Sequence, residues 1–292
     1  MNEMDNMTTN IAELVQTVDK MVSFPEIHMR INQMLDDPDC DMAKLGGVIS
    51  YDPGLTAQIL RMANSPFYGL SKEVNTVAHA LSVIGLTQLR YMLLATSAVK
   101  TFEGIPNELV SMEDFWFHSL YCALAAKILA GKVKGVQAES AFVSGLLHDI
   151  GQLVLFNQFP ELARDALLNS IEAPDEPDTY ISEREIIGFD HAALGGALAE
   201  HWHWPAMLIE TIQYHHEPEK SQNYPKETAI VHVANCLAVL AELHTTNIDE
   251  TDAPQIEPYV WNLLKLDEGI IPSVLESMYI QFDETCAMFG FK

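Results

Sequence analysis

The sequence predicts an all-α protein. Three observations carry that expectation. Apolar residues recur at helical spacing along most of the chain. No segment of useful length alternates apolar and polar residues with the period of a strand. Helix punctuation recurs as well: Ser, Thr or Asp before apolar runs, Pro in their first turns and Gly after their ends. With 292 residues, 48% of them apolar, the chain can bury a large core or divide into two lobes.

Taken in order, Thr9 is placed to cap a first helix running to about Lys20, with Ile11, Leu14, Val15 and Val18 on one face. Pro25 opens a second, with Ile27, Ile31 and Leu35 inward. Asp41 caps a third, MAKLGGVIS. In DPGLTAQILRMANSPFYGL, Pro53 opens a helix that Pro66 and Gly69 close, and Asn64 and Ser65 read as capping groups at its exit. Leu55, Ile59, Leu60 and Met62 lie along this helix, with Phe67 and Tyr68 beyond it; they either close the lobe or form an edge where a partner docks. Val74 to Ile84 and Leu86 to Phe102 follow as helices. Arg90 sits in the apolar stripe of Leu86, Leu89, Leu93 and Leu94, and either pairs with a carboxylate or reaches the surface.

The segment EGIPNE, 103–108, reads as a boundary, giving an N-terminal lobe of 1–105 and a second lobe of 106–292. In the second lobe Ser111, with Asp114 three residues on, resembles a capping box for the helix that Gly131 ends. Ala138 to Leu147 leads to a break at His148-Asp149, and a helix resumes through Phe156. Further helices are expected over 161–171, 180–187, 191–201, 205–215, 227–243, 256–266 and 271–288, with acidic loops at 172–178 and 247–252.

Charge narrows the function. Lys and Arg number 16 against 41 Asp and Glu, a formal −25, a field that repels nucleic acid and anionic membranes. Four scattered cysteines without a CxxC spacing suit reduced thiols and a cytoplasmic location. No apolar run reaches membrane-span length, and MNEMDNMTTN is unlike a signal peptide.

The chemistry centres on AFVSGLLHDIGQLVL, 141–155. Its apolar run is broken by His148-Asp149 and then Gly151. Burying an imidazole and a carboxylate is costly, so the pair needs either a hydrogen-bond network or a metal ion. Further histidines fall at expected helix ends: His118 with Asp114 one turn before it, His191 in FDHAALG, and His215-His216 in TIQYHHEPE. Singly, each reads as an ordinary surface or core residue. Together, polar groups at the ends of separate helices can converge on one pocket. Such mixed nitrogen and oxygen ligation suits one or two divalent transition ions, iron, manganese, zinc or nickel, rather than magnesium.

The order H…HD…H…HH resembles the HD superfamily of metal-dependent phosphohydrolases, and most closely its HDOD branch, over roughly 15–285. DPGLTAQILRMANSPFYG is similar to the HDOD signature of the N-terminal lobe; FWFHSL, AFVSGLLHDIGQLVL, GFDHAALGGALAEHW and HHEP are similar to its HD-like lobe. The resemblance implies a two-lobed helical protein in bacterial signal transduction, acting through protein partners and without the hydrolase activity. The related HD-GYP cyclic-di-GMP phosphodiesterases imply a ligand set of His118, His148, Asp149, His191, His215 and His216, with Asp114 at an acidic ligand position and Asp149 bridging metals. A nucleotide or phosphate would then bind at the metal.

Three positions depart from that pattern. Gln152 stands where a lysine would meet substrate phosphate. Asn235, in IVHVANCLAVL, stands where a last aspartate ligand is expected. The loop HHEPEKSQNYP keeps Tyr224 and Pro225 but has Lys220, Ser221 and Asn223 in place of Asp, Gly and Gly. A domain that binds metal but hydrolyses phosphodiesters poorly or not at all fits both the retained and the lost residues. A metal-dependent phosphohydrolase is the alternative.

Overall fold

The computed structural model describes residues 11–18, 26–37, 39–65, 73–102, 109–172, 178–246 and 256–291. The fold is all-α, with no strand among the described residues. Contacts group the chain into two compact units, one of Phe24–Thr101 with Gln281–Lys292, the other of Met1–Ser23 with Phe102–Ile280. Each unit thus recruits a piece of chain from the opposite terminus. For the first helix, α1 (11–18), the reason is visible. It buries Leu14, Val15 and Val18, and its Ile11, Ala12, Val15 and Gln16 line a cavity of about 450 Å³ with Ala193, Gly196 and Gln213.

The smaller unit contains α2 (Glu26–Asp36), α3 (Met42–Ser50), α4 (Pro53–Ala63), α5 (Val77–Ile84) and α6 (Leu86–Phe102). Ile31, Leu45, Ile49, Leu55, Ile59, Met62, Leu81 and Leu89 fill its core. Asp41 caps α3 by accepting from the Ala43 amide, and Asp52 caps α4 by accepting from that of Leu55. Helix α5 starts three residues later than its apolar pattern suggests, for two reasons. Thr76 caps it through the His79 amide. Asn64, at the end of α4, holds Val74 out of the helix at two points: its Nδ2 donates to the Val74 carbonyl (2.7 Å), and its Oδ1 accepts from the Val74 amide (2.6 Å). Asn64 therefore works as a cap and staple. Arg90 resolves to the surface, where it donates to Asp36. Both groups are solvent-accessible, so the pair contributes about 0–1 kcal/mol. Phe67, Tyr68 and the 103–108 segment lie outside the described residues.

The larger unit contains α7 (Met112–Ala130), α8 (Ala138–Leu147), α9 (Ile150–Gln158), α10 (Pro160–Glu172), α11 (Thr179–Ile186), α12 (His191–His201), α13 (Ala206–Tyr214), α14 (Pro225–Thr246), α15 (Pro258–Leu264) and the first part of α16 (Ile271–Phe289). Helix α7 is apolar nearly all round because α8 and α14 both pack on it. Two glycines let helices approach to backbone contact. A Cβ on Gly145 of α8 would lie 2.8 Å from the Cα of Ala123 on α7, and a Cβ on Gly151 of α9 would overlap the carbonyl oxygen of His191 on α12. Gly195 answers Gly151 across that second crossing: its own Cβ would come within 3.2 Å of the Gly151 nitrogen. The second contact brings the start of α9 against the start of α12, where two candidate site residues sit.

Among the described residues no single helix is long and apolar enough to cross a membrane; α5 and α6 reach that length and composition only together, across a bend of 103°.

Gly151→Ala should destabilise the protein by about 1–3 kcal/mol or more, because rigid backbone rather than a mobile side chain stands in the way. Gly47→Ala, on an exposed face of α3 with nothing within 4 Å of the new Cβ, should instead stabilise by about 0.5–1 kcal/mol. Chemical denaturation measures both; an unchanged midpoint for Gly151→Ala would contradict the close crossing.

Candidate metal centre

The break between α8 and α9 falls at the polar pair. His148 ends α8, and Asp149 occupies the N-cap of α9 but makes no capping hydrogen bond. Its carboxylate turns inward instead. Asp190, the N-cap of α12, does cap, accepting from the Ala193 amide, and leaves His191 as the first helical residue. His215 and His216 follow the end of α13. His118 lies in the second turn of α7. Helix ends thus deliver one or two polar side chains each to a common point.

Asp149 is the centre of that point. Its Oδ1 lies 3.3 Å from His191 Nε2 and 3.4 Å from His215 Nε2; its Oδ2 lies 3.2 Å from His148 Nε2 and 3.6 Å from His118 Nε2. His216 Nε2 lies 2.9 Å from His191 Nε2. Ligand atoms therefore form two groups that share Asp149, one with His191, His215 and His216, the other with His118 and His148, each within 4.8 Å. His148, His191 and His215 are at most 1% exposed and Asp149 is 5% exposed.

The outer nitrogens fix the direction of the inner ones. His148 Nδ1–H donates to the Gly145 carbonyl and His215 Nδ1–H to the Ile212 carbonyl, both at 2.8 Å. His191 Nδ1–H donates to Glu183 Oε2 at 2.6 Å, and the same oxygen accepts the His191 backbone amide at 2.8 Å. With those protons placed outward, three Nε2 lone pairs and a carboxylate face one another. His148 Nε2 and Asp149 Oδ1 are buried without a hydrogen-bond partner. Such orphaned acceptors around a carboxylate fit a cation, and outward hydrogen bonds of this kind orient histidine ligands.

Without a cation, protons take its place. Burial would lower the pKa of His118, but the hydrogen bond and charge of Glu242 raise it to about 9. Burial works against the charged form of His148 too, yet the charge of Asp149 raises it to about 10. Against the same burial penalty, the charge of Glu183 holds His191 well above its ordinary range. His215, where burial wins, is pushed down to about 4. His216 is also lowered by burial and by the neighbouring imidazoles. Against the burial that would raise it, the charge of His148 lowers Asp149. Positive charge is required at this point in either case.

Asp114, Gln152 and Asn235 each have contacts of their own. Asp114 is exposed and joins neither group; its carboxylate accepts from Ser111 Oγ at 2.6 Å while its amide is capped by that hydroxyl. One-turn spacing does place it on the His118 side of α7, but the helix N-terminus claims it. Gln152 lies half-buried in the first turn of α9, its backbone N–H donating to the Asp149 carbonyl. Asn235, on α14, is hydrogen-bonded to His118. Ser221 and Asn223, which depart from the glycine-rich loop pattern, are both used: Ser221 Oγ, the Asn223 amide and side chain, and the Tyr224 amide all donate to Glu210 of α13.

Residues not anticipated from the sequence complete the surroundings. Beside Glu183 and Glu242, Arg184 donates to both Asp190 and Glu217. Tyr180 stacks on His216 with ring centroids 4.4 Å apart. Glu183 and Arg184 sit in an ordinary polar stretch, EREIIG, and no spacing signal marks them.

The family profile of the HDOD domain matches residues 21–218. The chain belongs to the HDOD family. Among solved structures it is similar to an HDOD domain protein of unknown function from Geobacter sulfurreducens, at 24% identity and a TM-score of 0.69, covering 96% of this chain and 97% of that one. It is similar to a candidate phosphohydrolase from Shewanella amazonensis, at 28% identity and TM-score 0.70, covering 94% and 97%. A candidate signal transduction protein from Marinobacter aquaeolei matches at 22% and TM-score 0.72, covering 99% of this chain and 65% of that one. An uncharacterised Treponema pallidum protein is 26% identical over 237 residues, 80% of this chain; the HDOD chain thus spans 45% of that relative's length.

Hydrogen bonds from Ser221, Asn223 and Tyr224 hold Glu210 below its ordinary value of 4.5, against the burial that would raise it. Its contribution to the loop is therefore complete above pH 4.5 and lost as pH falls through the folded value. Amide protection factors of Asn223 and Tyr224 should drop in that acid range, and Glu210→Ala should show the loss at neutral pH. Protection unchanged in the variant would contradict this role.

Proposed function

We propose that this HDOD chain is a bacterial regulatory module that holds one or two divalent transition ions and hydrolyses phosphodiesters weakly or not at all. The observation that carries the reading is Asp149, buried with each oxygen facing a pair of imidazole nitrogens. His118, His148, Asp149, His191, His215 and His216 would hold the ions, with Asn235 at the margin; iron, manganese, zinc or nickel suits that ligand chemistry. Asp114 takes no part in this assignment, being engaged at its helix cap. A bound ion would supply positive charge to a phosphate or nucleotide ligand and could activate water.

Two substitutions argue against turnover. Gln152 offers no cation to a phosphate, and Asn235 is neutral where a carboxylate would add charge. Signalling protein partners follow from a role without catalysis. The acidic balance disfavours nucleic acid and anionic membranes as partners. The lobe 106–292 carries the ions, the lobe 1–105 supports regulation, and the free cysteines suit the cytoplasm. A metal-dependent phosphohydrolase is the second reading, favoured by the name of the Shewanella relative.

Elemental analysis of protein purified without a metal-affinity tag should find a transition metal. His148→Ala combined with Asp149→Ala should lose it and lower the melting temperature, since a ligand of the folded state stabilises by mass action. Metal and melting point both retained would sink the assignment. Glu183→Ala should weaken metal affinity about 10–100-fold, the range for removing a partner of a ligand histidine. Hydrolysis of a cyclic dinucleotide by the metal-loaded wild type at about 1 per second or faster would favour the phosphohydrolase reading.

A further inference from the structure

The two halves of the cluster differ in what their Nε2 atoms meet: on one side other imidazole nitrogens of the same group, on the other a side-chain amide from outside it. Toward Asp149 Oδ1, His191 and His215 present Nε2 atoms whose partner nitrogens are already engaged outward. His216 completes that side through its Nε2. Toward Asp149 Oδ2, His148 presents an Nε2 with no hydrogen-bond partner. His118 does not. Its Nδ1 lies 3.1 Å from Glu242 Oε1, and its Nε2 lies 3.0 Å from Asn235 Oδ1, closer than the 3.6 Å to Asp149.

Two proton arrangements satisfy this geometry. The ring is an imidazolium that donates to both neighbours, or it is neutral, donates to Glu242 and accepts from an Asn235 amide turned end for end. Each uses up Nε2: the first puts a proton on it, the second puts a donor against its lone pair. Asn235 can play either part because an amide carries both a donor and an acceptor. An aspartate cannot donate, and it adds an anionic oxygen that a dication binds more strongly than a neutral carbonyl.

We propose that the chain holds one transition-metal ion tightly on Asp149, His191, His215 and His216, and that Asn235 closes the second position by occupying His118. The inference rests on the metal-binding reading above and specifies its stoichiometry. Asn235 is thus a specificity-determining residue for metal number, and the Asn235–His118–Glu242 chain links α7 to α14 in place of a second ion.

The test is a titration of the metal-stripped full chain with Co²⁺, with bound cobalt counted by equilibrium dialysis and elemental analysis. The wild type should saturate at one tight equivalent and Asn235→Asp at two. His118→Ala should keep its one tight equivalent, which decides the matter even if Asn235→Asp does not fold. Two tight equivalents in the wild type, one in folded Asn235→Asp, or none in His118→Ala would each overturn the inference while leaving metal binding by the wild type intact. A wild type that binds no cobalt would overturn the metal reading and this inference with it.

Discussion

Asp149 is buried with imidazole nitrogens against both of its oxygens, and a carboxylate in that setting must be met by positive charge or take up a proton. Much of the larger unit follows from delivering that charge. The continuous helix that 138–158 would otherwise form is broken at His148-Asp149, and Asp149 forgoes the capping bond its position invites. The helix that continues from the break carries Gly151, whose missing side chain admits the start of α12. A methyl group there would push away His191, so the glycine and the histidine are parts of one arrangement. The same logic applies to α13, which ends where His215 and His216 must leave the helix to face Asp149.

Helix α11 shows how orientation is enforced from outside the cluster. It contributes no atom to either ligand group, yet Tyr180, Glu183 and Arg184 on it grip two other segments, the start of α12 and the stretch after α13. Glu183, 1% exposed, fixes both the ring and the backbone amide of His191. Arg184 fastens Asp190, the cap of that same helix, to Glu217, which follows His216. Tyr180, one turn earlier, stacks on His216 and lies under the Arg184 guanidinium. Such contacts are costly to lose: truncating a buried carboxylate that accepts two N–H groups leaves both donors unmet.

How much of this the sequence discloses depends on the range of each interaction. The all-α fold is legible because periodicity and caps are local, and Asp41, Pro53 and Ser111 sit at the helix starts they announce. His148-Asp149 is legible because two polar residues interrupt an apolar run, a local anomaly. Glu183 is not, since its partner lies across a turn and on another helix. Asp114 shows the opposite failure: its spacing to His118 suggests a shared site, but a stronger local demand, the cap of α7, takes its carboxylate. Val74 continues an apolar helical pattern, yet a contact from ten residues upstream holds it outside the helix. The 11–18 helix looks, by position, part of the N-terminal lobe; only the surface that covers Leu14, Val15 and Val18 reveals the other assignment.

Charge distribution bears on what a bound ion would be for. A net −25 draws cations toward the protein and opposes the approach of an anionic phosphodiester. A hydrolase must overcome that field with local cations. Two cations beside it among the described residues are already committed: Arg184 to Asp190 and Glu217, and Lys220 to Glu217 at 2.7 Å. Gln152, in the first turn after Asp149, adds none. Freeing Arg184 for a phosphate would expose two carboxylates to that same phosphate and loosen the segment that holds His216. The arrangement therefore favours retention of a cation over recruitment of a phosphodiester anion.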